Sequence, residues 1–270
     1  MRRTRMAGKR PDGTFAGKRT MSAKGWKAAL LAGSILMTCG SWVGQASAQD
    51  AEGQRVDLEL VLAVDVSSSV DDAEFELQMR GIAEAFRNPD LVQAIRSAGN
   101  RGITVTLVQW SGEGSQAQVV DWSLISDAAS SADFARKIDN APRKLIGGQT
   151  SIAGALDFAV TLIETNTFEG ARKVIDLSGD GRANVGPHPM DARDAAINAG
   201  ITVNGLAIRN DEPFLDGYFA HSVIGGVGAF MMTAEDYEDY TAAIFSKLLR
   251  EIGIPLADSA PADRKLAMAE

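Results

Sequence analysis

Cysteine, histidine and long apolar runs are what this sequence has least of. Its 270 residues include one cysteine, Cys39, and two histidines, His188 and His221. With no cysteine after position 39, the body of the chain can close no internal disulfide and offers no thiol nucleophile. The histidines stand apart in sequence, His188 between two prolines, which is not the spacing of a zinc site. There is no G-x-S-x-G turn for a serine hydrolase and no G-x-x-x-x-G-K-[ST] loop for a nucleotide. No apolar stretch reaches the roughly 20 residues that span a bilayer. Repeats and biased tracts are absent too, so solenoid, collagen-like and coiled-coil architectures drop out.

Basic residues are scarce everywhere except at the start. Residues 1–48 carry nine Lys/Arg and one acid, Asp12, so within a chain of net charge −8 the remainder sits at −16. A body this acidic repels nucleic acid and anionic lipid, and neither is an expected partner. The basic start reads as an export signal. Lys24 and Lys27 precede the apolar run Ala28–Met37, and small residues lead to Ala46-Ser47-Ala48. A charged segment, a short apolar core and an A-x-A site predict cleavage after Ala48 and a soluble periplasmic or secreted protein. Met21 would also open such a signal. Arg2-Arg3 lies far from the apolar run and lacks the rest of a twin-arginine motif. Leu36-Met37-Thr38-Cys39 is a poor lipoprotein site, so Cys39 reads as a residue of the removed segment.

Beyond a polar linker at 49–56, six short apolar segments read as strands: 58–64, 103–110, 118–124, 173–177, 201–208 and 229–232. Between them lie segments of helical periodicity. The first, Asp71 to Ala98, places Phe75, Met79, Ile82 and Phe86 on one face and should break at Pro89. Others cover 130–140, 151–164, 190–199, 213–223 and 234–252, the last with Tyr237, Tyr240, Ile244, Leu248 and Ile252 inward. Strands alternating with helices predict an α/β fold: a doubly wound, mostly parallel six-stranded sheet with one antiparallel edge strand and helices on both faces. The antiparallel strand is expected at 118–124, joined to 103–110 by a short Ser/Gly turn. One domain over 56–252 and a disordered tail at 253–270 complete the expectation.

Ligands of such sheets gather at the carboxyl ends of the strands. Three polar clusters fall there: Asp65-Val66-Ser67-Ser68-Ser69, Gly148-Gln149-Thr150-Ser151 and Ser178-Gly179-Asp180-Gly181. Asp-x-Ser-x-Ser sets three oxygen side chains at alternating positions, which a turning segment can aim at one point. Thr150 adds a hydroxyl and Asp180 a second carboxylate. A hard cation such as Mg²⁺ takes six oxygens at about 2.0–2.1 Å and readily keeps waters among them. Each cluster alone has a duller reading as a turn or helix cap. An EF-hand loop is excluded, because Val70 stands where its glycine belongs. Asp71, Asp72 and Glu74 are better read as the acidic start of a helix than as a second metal site. Trp110 and Trp122, at strand ends, are expected to pack in the core or at its rim.

DVSSS, GGQTSIAGAL and SGDG, in this order and spacing, resemble the metal-ion-dependent adhesion site (MIDAS) of von Willebrand factor type A (VWA) domains. The longer strings VLAVDVSSSV and VIDLSGDGRANVG are similar, more narrowly, to a bacterial group of exported VWA-like proteins known only as a domain of unknown function. The resemblance implies a divalent metal, Mg²⁺ or else Mn²⁺ or Ca²⁺, held by Asp65, Ser67, Ser69, Thr150 and Asp180, with Asp180 acting through water. It implies a protein partner presenting an Asp or Glu, and no catalysis. The alternative is a metal-assisted phosphohydrolase-type enzyme. Phosphatases with Asp-x-Asp after the first strand need a second acid where this chain has Ser67, and no lysine stands in the three clusters to act as a base.

Overall fold

Leu58, Leu60, Leu62 and Val64 alternate along one segment with Val61 and Ala63, and both sets are apolar. A strand of that composition must be covered on both faces. In the computed structural model, which describes residues 53–253, this segment is the centre of a six-stranded sheet ordered β3-β2-β1-β4-β5-β6. The strands are β1 (Gln54–Asp65), β2 (Ile103–Trp110), β3 (Gln116–Ile125), β4 (Phe168–Gly179), β5 (Thr202–Ile208) and β6 (Met231–Ala234). Every pairing is parallel except that of edge strand β3 with β2. The helices are α1 (Asp72–Arg87), α2 (Pro89–Ala98), α3 (Ala128–Asp139), α4 (Ile152–Thr165), α5 (Pro189–Asn198), α6 (Leu215–Ser222) and α7 (Tyr237–Ile252).

The alternation in β1 divides the core in two. Leu58, Leu60, Leu62 and Val64 face α1, α2, α3 and α7, whereas Val61 and Ala63 face α4, α5 and α6. Phe86 and Phe134 meet edge-on in the first core, with ring centroids 4.8 Å apart. The inward residues predicted for α1 and α7 are all buried, and so are Ile152, Leu156 and Ile163 of α4. Trp110 is fully buried.

The chain breaks at Pro89 as expected. Asn88 both ends α1 and caps α2, accepting the Asp90 N–H at 2.9 Å. Asp71 and Glu74 form a capping box at the start of α1, which accounts for the acids there. His188 caps α5 through Nδ1, which accepts the Met190 N–H.

Several boundaries differ from expectation, those of β1, β4 and β6 among them. Residues 54–56 of the supposed linker already belong to β1. β4 begins at Phe168, because buried Glu59 of β1 accepts hydrogen bonds from the Gly170 N–H and from Asn166 at the end of α4. β6 lies two residues later than expected, at Met231–Ala234. The predicted signal at 1–48 and all but the first residue of the predicted tail lie outside the described residues.

Candidate metal centre

β1 pairs with β2 on one side and β4 on the other, both parallel, so the order in which strands are added reverses at the β1–β4 pair. Successive loops leave the sheet in opposite directions there and open a crevice above the strand ends. The β1–β4 register, Val64 against Ser178, sets Asp65 beside Gly179-Asp180. Two carboxylates are thereby fixed side by side by backbone pairing alone.

Four of the five predicted residues form one hydrogen-bonded chain. Asp65 Oδ1 accepts the Ser67 N–H at 2.7 Å. The Ser67 and Ser69 hydroxyls lie 3.2 Å apart, and Ser69 Oγ donates to Asp180 Oδ1 at 2.7 Å. Thr150, the fifth, is buried on the neighbouring loop, where its backbone exchanges hydrogen bonds with Asn184. That loop is stapled to the first by Ser68, whose backbone N–H and hydroxyl donate to the Gly148 carbonyl at 3.0 and 2.8 Å. Gly147 and Gly148 have φ of +63° and +109°, so the close approach to Ser68 calls for glycine on the backbone's account.

Asp65 is fully buried, and its Oδ2 has no hydrogen-bond partner. Burial, and secondarily the Asp180 carboxylate, push Asp65 up to about 7. Burial also raises Asp180, against the opposing effect of its bonds from Ser69 and Tyr237. Among the described residues neither aspartate forms an ion pair. A Cβ at position 179 would sit 3.0 Å from Asp65 Oδ2, so a side chain there would crowd that oxygen. The described residues contain no group of three or more His, Cys, Asp or Glu side chains placed to hold a metal. Any cation here must be held by two carboxylates and hydroxyls, a hard-oxygen donor set suited to Mg²⁺, Mn²⁺ or Ca²⁺. An unpartnered buried carboxylate oxygen beside a second carboxylate fits such an ion.

Residues 55–255 match the family described as "Protein of unknown function (DUF1194)". The chain belongs to that family. No curated protein matches the sequence. Among solved structures, the von Willebrand factor domain of the type V pilus tip protein Mfa5 from Porphyromonas gingivalis is 15% identical. The match covers 74% of this chain and 96% of that one, with a TM-score of 0.52. Proximal thread matrix protein 1 from the mussel byssus is 16% identical over 74% of this chain and 47% of its own, at a TM-score of 0.52. A second structure of that protein has a zinc-occupied MIDAS motif, at 18% identity, 74% and 46% coverage and a TM-score of 0.50. The pilus adhesin SpaC from Lactobacillus rhamnosus GG is 14% identical over 74% of this chain and 31% of its own, at 0.52. The chain thus spans about half the length of the mussel protein. At these identities the likeness establishes the fold, which is that of a VWA domain.

Within this DUF1194 chain, three residues that support the site escaped the sequence reading. Tyr237, at the start of α7, donates its hydroxyl to Asp180 Oδ2 at 3.0 Å. Burial raises the Tyr237 phenol, and the nearby carboxylates add to this, so it stays a donor at any physiological pH. Arg143 reaches across to the first loop, donating to the Val70 carbonyl at 2.7 Å and to Asp72 at 2.8 Å while covering the Phe75 ring. Ser68 sat inside the motif as a spacer. Helical periodicity marked Tyr237 as inward but could not say what it meets 57 residues away.

Proposed function

We propose that this chain is an exported, metal-dependent protein-binding module that engages an Asp or Glu side chain of its partner. The reading rests on Asp65: a fully buried carboxylate at the end of the central strand, with one oxygen unpartnered, beside Asp180 and a run of hydroxyls. In it, Asp65, Ser67, Ser69, Thr150 and Asp180 hold one divalent cation, Mg²⁺ or else Mn²⁺ or Ca²⁺. When bound, the ion supplies a Lewis-acidic contact for a carboxylate oxygen. The zinc-occupied MIDAS of the mussel matrix protein and the adhesin role named for SpaC support the proposal by analogy.

The residues divide the work. Asp65 contributes negative charge from a rigid strand end, and Ser67 and Ser69 contribute neutral oxygens. Both oxygens of Asp180 already accept protein hydrogen bonds, from Ser69 and from Tyr237, which suits a role through water. Three neutral donors out of five leave the ion's charge under-compensated, and that selects an anionic oxygen from outside. The acidic body disfavours a broadly acidic partner, so one acid set in a neutral or basic surface is what the site takes. The chain reaches its partner as a soluble periplasmic or secreted protein after cleavage behind Ala48, and it turns over no substrate.

Calorimetry with Mg²⁺, Mn²⁺ and Ca²⁺ on the protein and on Asp65→Ala tests the site, and affinity capture from envelope extract with Mg²⁺ or chelator tests its use. The expected result is binding abolished by Asp65→Ala and by chelator. Unchanged metal affinity in Asp65→Ala, partner binding that survives chelation, or Mg²⁺-dependent phosphoester turnover would sink the reading.

A further inference from the structure

Four large apolar side chains are exposed among the described residues: Leu124, Ile146, Phe214 and Val227. Leu124 and Val227 lie at the far end of the sheet. Leu124 pairs with Thr104 near the start of β2, and the Val227 carbonyl accepts from Thr202 at the start of β5. Ile146 and Phe214, 90% and 80% exposed, lie at the end that carries Asp65 and Asp180.

Both loops are anchored there. The Lys144 N–H donates to Gln109 near the end of β2, and Gly148 is stapled to Ser68, so Ile146 stands on the β2 side of the crevice. Glu212 pairs with Arg182, two residues after Asp180, and Asn210 donates to Glu74, so Phe214 stands on the β5 side. The order β2-β1-β4-β5 therefore sets one exposed apolar side chain on each side of the two carboxylates.

Charge on the rim narrows the partner further. Asp211, exposed on the Phe214 loop, and Glu74 lie close enough to Asp180 to act on it electrostatically. Arg143 is committed to Asp72, and Arg182 to Glu212. On the Phe214 side a second acid beside the partner's anchor would meet this negative charge, whereas on the other side the exposed Lys144 stands two residues from Ile146. Apolar neighbours would cover Ile146 and Phe214.

We propose that the partner segment is one carboxylate flanked on both sides by apolar residues, with Ile146 and Phe214 as the side chains that read the flanks. This rests on the metal-dependent binding reading above and specifies the ligand of that site.

The probes are three capped synthetic peptides in a Gly/Ser background, centred on Leu-Asp-Leu, Ser-Asp-Ser and Leu-Asn-Leu. Each is titrated into the protein in Mg²⁺ and in chelator, beside calorimetry of Mg²⁺ alone. In Mg²⁺ the first should bind about tenfold more tightly than the second, as partial burial of two leucines warrants, and the third should not bind. Ile146→Ser together with Phe214→Ser should bring the first two to parity and leave Mg²⁺ affinity unchanged. Equal binding of the first two peptides, or a preference that survives the double replacement, overturns the apolar flanks alone. Mg²⁺ binding with no response to any aspartate peptide overturns the acidic anchor and the flanks with it, and no Mg²⁺ binding overturns the metal centre itself.

Discussion

Among the carboxylates this domain buries are two pairs built in opposite ways. Between β4, β5 and α7, Asp176 pairs with Lys247 at 2.6 Å, and Glu251 with Arg172 at 3.1 Å. Asn204 donates to the remaining Glu251 oxygen. Lys247 also lies 5.1 Å from the Phe230 ring centroid. At the crevice, Asp65 and Asp180 have hydroxyls and backbone N–H groups about them and, among the described residues, no ion-paired cation of the protein's own. Burial of a charge is tolerated when a counter-charge is buried with it. The α7 cluster is a brace that supplies counter-charges from within the chain, although burial still raises Glu251, and in the proposed reading the crevice would draw its counter-charge from an ion in solution. Buried Glu59 shows that N–H donors can also hold an acid, so what distinguishes the crevice is two acids side by side with one oxygen unpartnered.

The strongest way to break the comparison is to make the brace resemble the crevice. Lys247→Met leaves Asp176 buried without its cation and should lower unfolding free energy by about 3–5 kcal/mol, as is usual when one partner of a buried pair is removed. Urea unfolding would show it, with Mg²⁺ affinity of the folded variant unchanged. Adding Asp176→Asn should restore part of the loss. A Lys247→Met protein as stable as the parent would mean that the brace carries no net structural charge.

Next in size is the pH dependence of the crevice. Asp65 is held up to about 7 in the metal-free fold, well above its ordinary carboxylate value in the unfolded chain. Between those two values the folded state binds more protons, so stability falls as pH rises and the penalty is complete above 7. Three units correspond to at most on the order of 4 kcal/mol. In chelator the urea midpoint should therefore drop between pH 5 and pH 8. Saturating Mg²⁺ should flatten that slope by favouring the ionised form. Asp65→Asn keeps the Oδ1 that accepts from Ser67, so it should reduce the slope and exceed the parent in stability at pH 8. A parent whose midpoint does not move with pH would remove the charge frustration on which the contrast stands.

The two crevice acids should also differ from each other. Asp65→Ala should abolish measurable Mg²⁺ binding, a loss of at least about a hundredfold, or about 3 kcal/mol and more. Asp180→Ala should cost about tenfold, because both Asp180 oxygens are already engaged by protein donors. Calorimetry ranks them, and equal losses would make Asp180 a direct ligand.

How far these two regions were legible in sequence differs for a physical reason. The crevice acids lie in contiguous motifs at strand ends, and a local pattern of alternating oxygens is what a sequence displays. Parallel pairing then brings Asp65 and Asp180 together with no further information. The brace has no such pattern. Asp176 sits within an apolar strand, and Lys247 and Glu251 sit on the same face of α7 as Ile244 and Leu248. Periodicity assigns that face to the core and carries no information on where its charges find partners. Much the same holds for the start of β4. Residues 168–173 are only partly buried and their pairing depends on Glu59 more than 100 residues away, so no local apolar run announces the strand. The fold order came from periodicity, and the pairings between distant polar side chains did not.

The smallest expected effect belongs to the residue that touches the crevice from the helix of the brace. α7 carries Tyr237 at its first turn and Lys247 and Glu251 further along, so one rigid element meets both regions. Tyr237→Phe removes a single hydrogen bond to Asp180 Oδ2 and leaves the ring to pack as before. Asp180 then keeps its bond from Ser69 but gains freedom to turn, and its freed oxygen is left buried. A bond to a charged acceptor contributes about 1.5–3 kcal/mol, yet most of this falls on the metal-free state too and cancels from the binding equilibrium. The net loss of Mg²⁺ affinity should be about two- to fivefold, about 1 kcal/mol or less. Calorimetry of Tyr237→Phe beside Asp180→Ala and the double variant decides the route. If Tyr237 acts only through Asp180, the double variant binds Mg²⁺ no more weakly than Asp180→Ala alone. If the two losses add, the phenol reaches the ion's surroundings by a path of its own, and the division between a self-balanced brace and an ion-dependent crevice gains a third member.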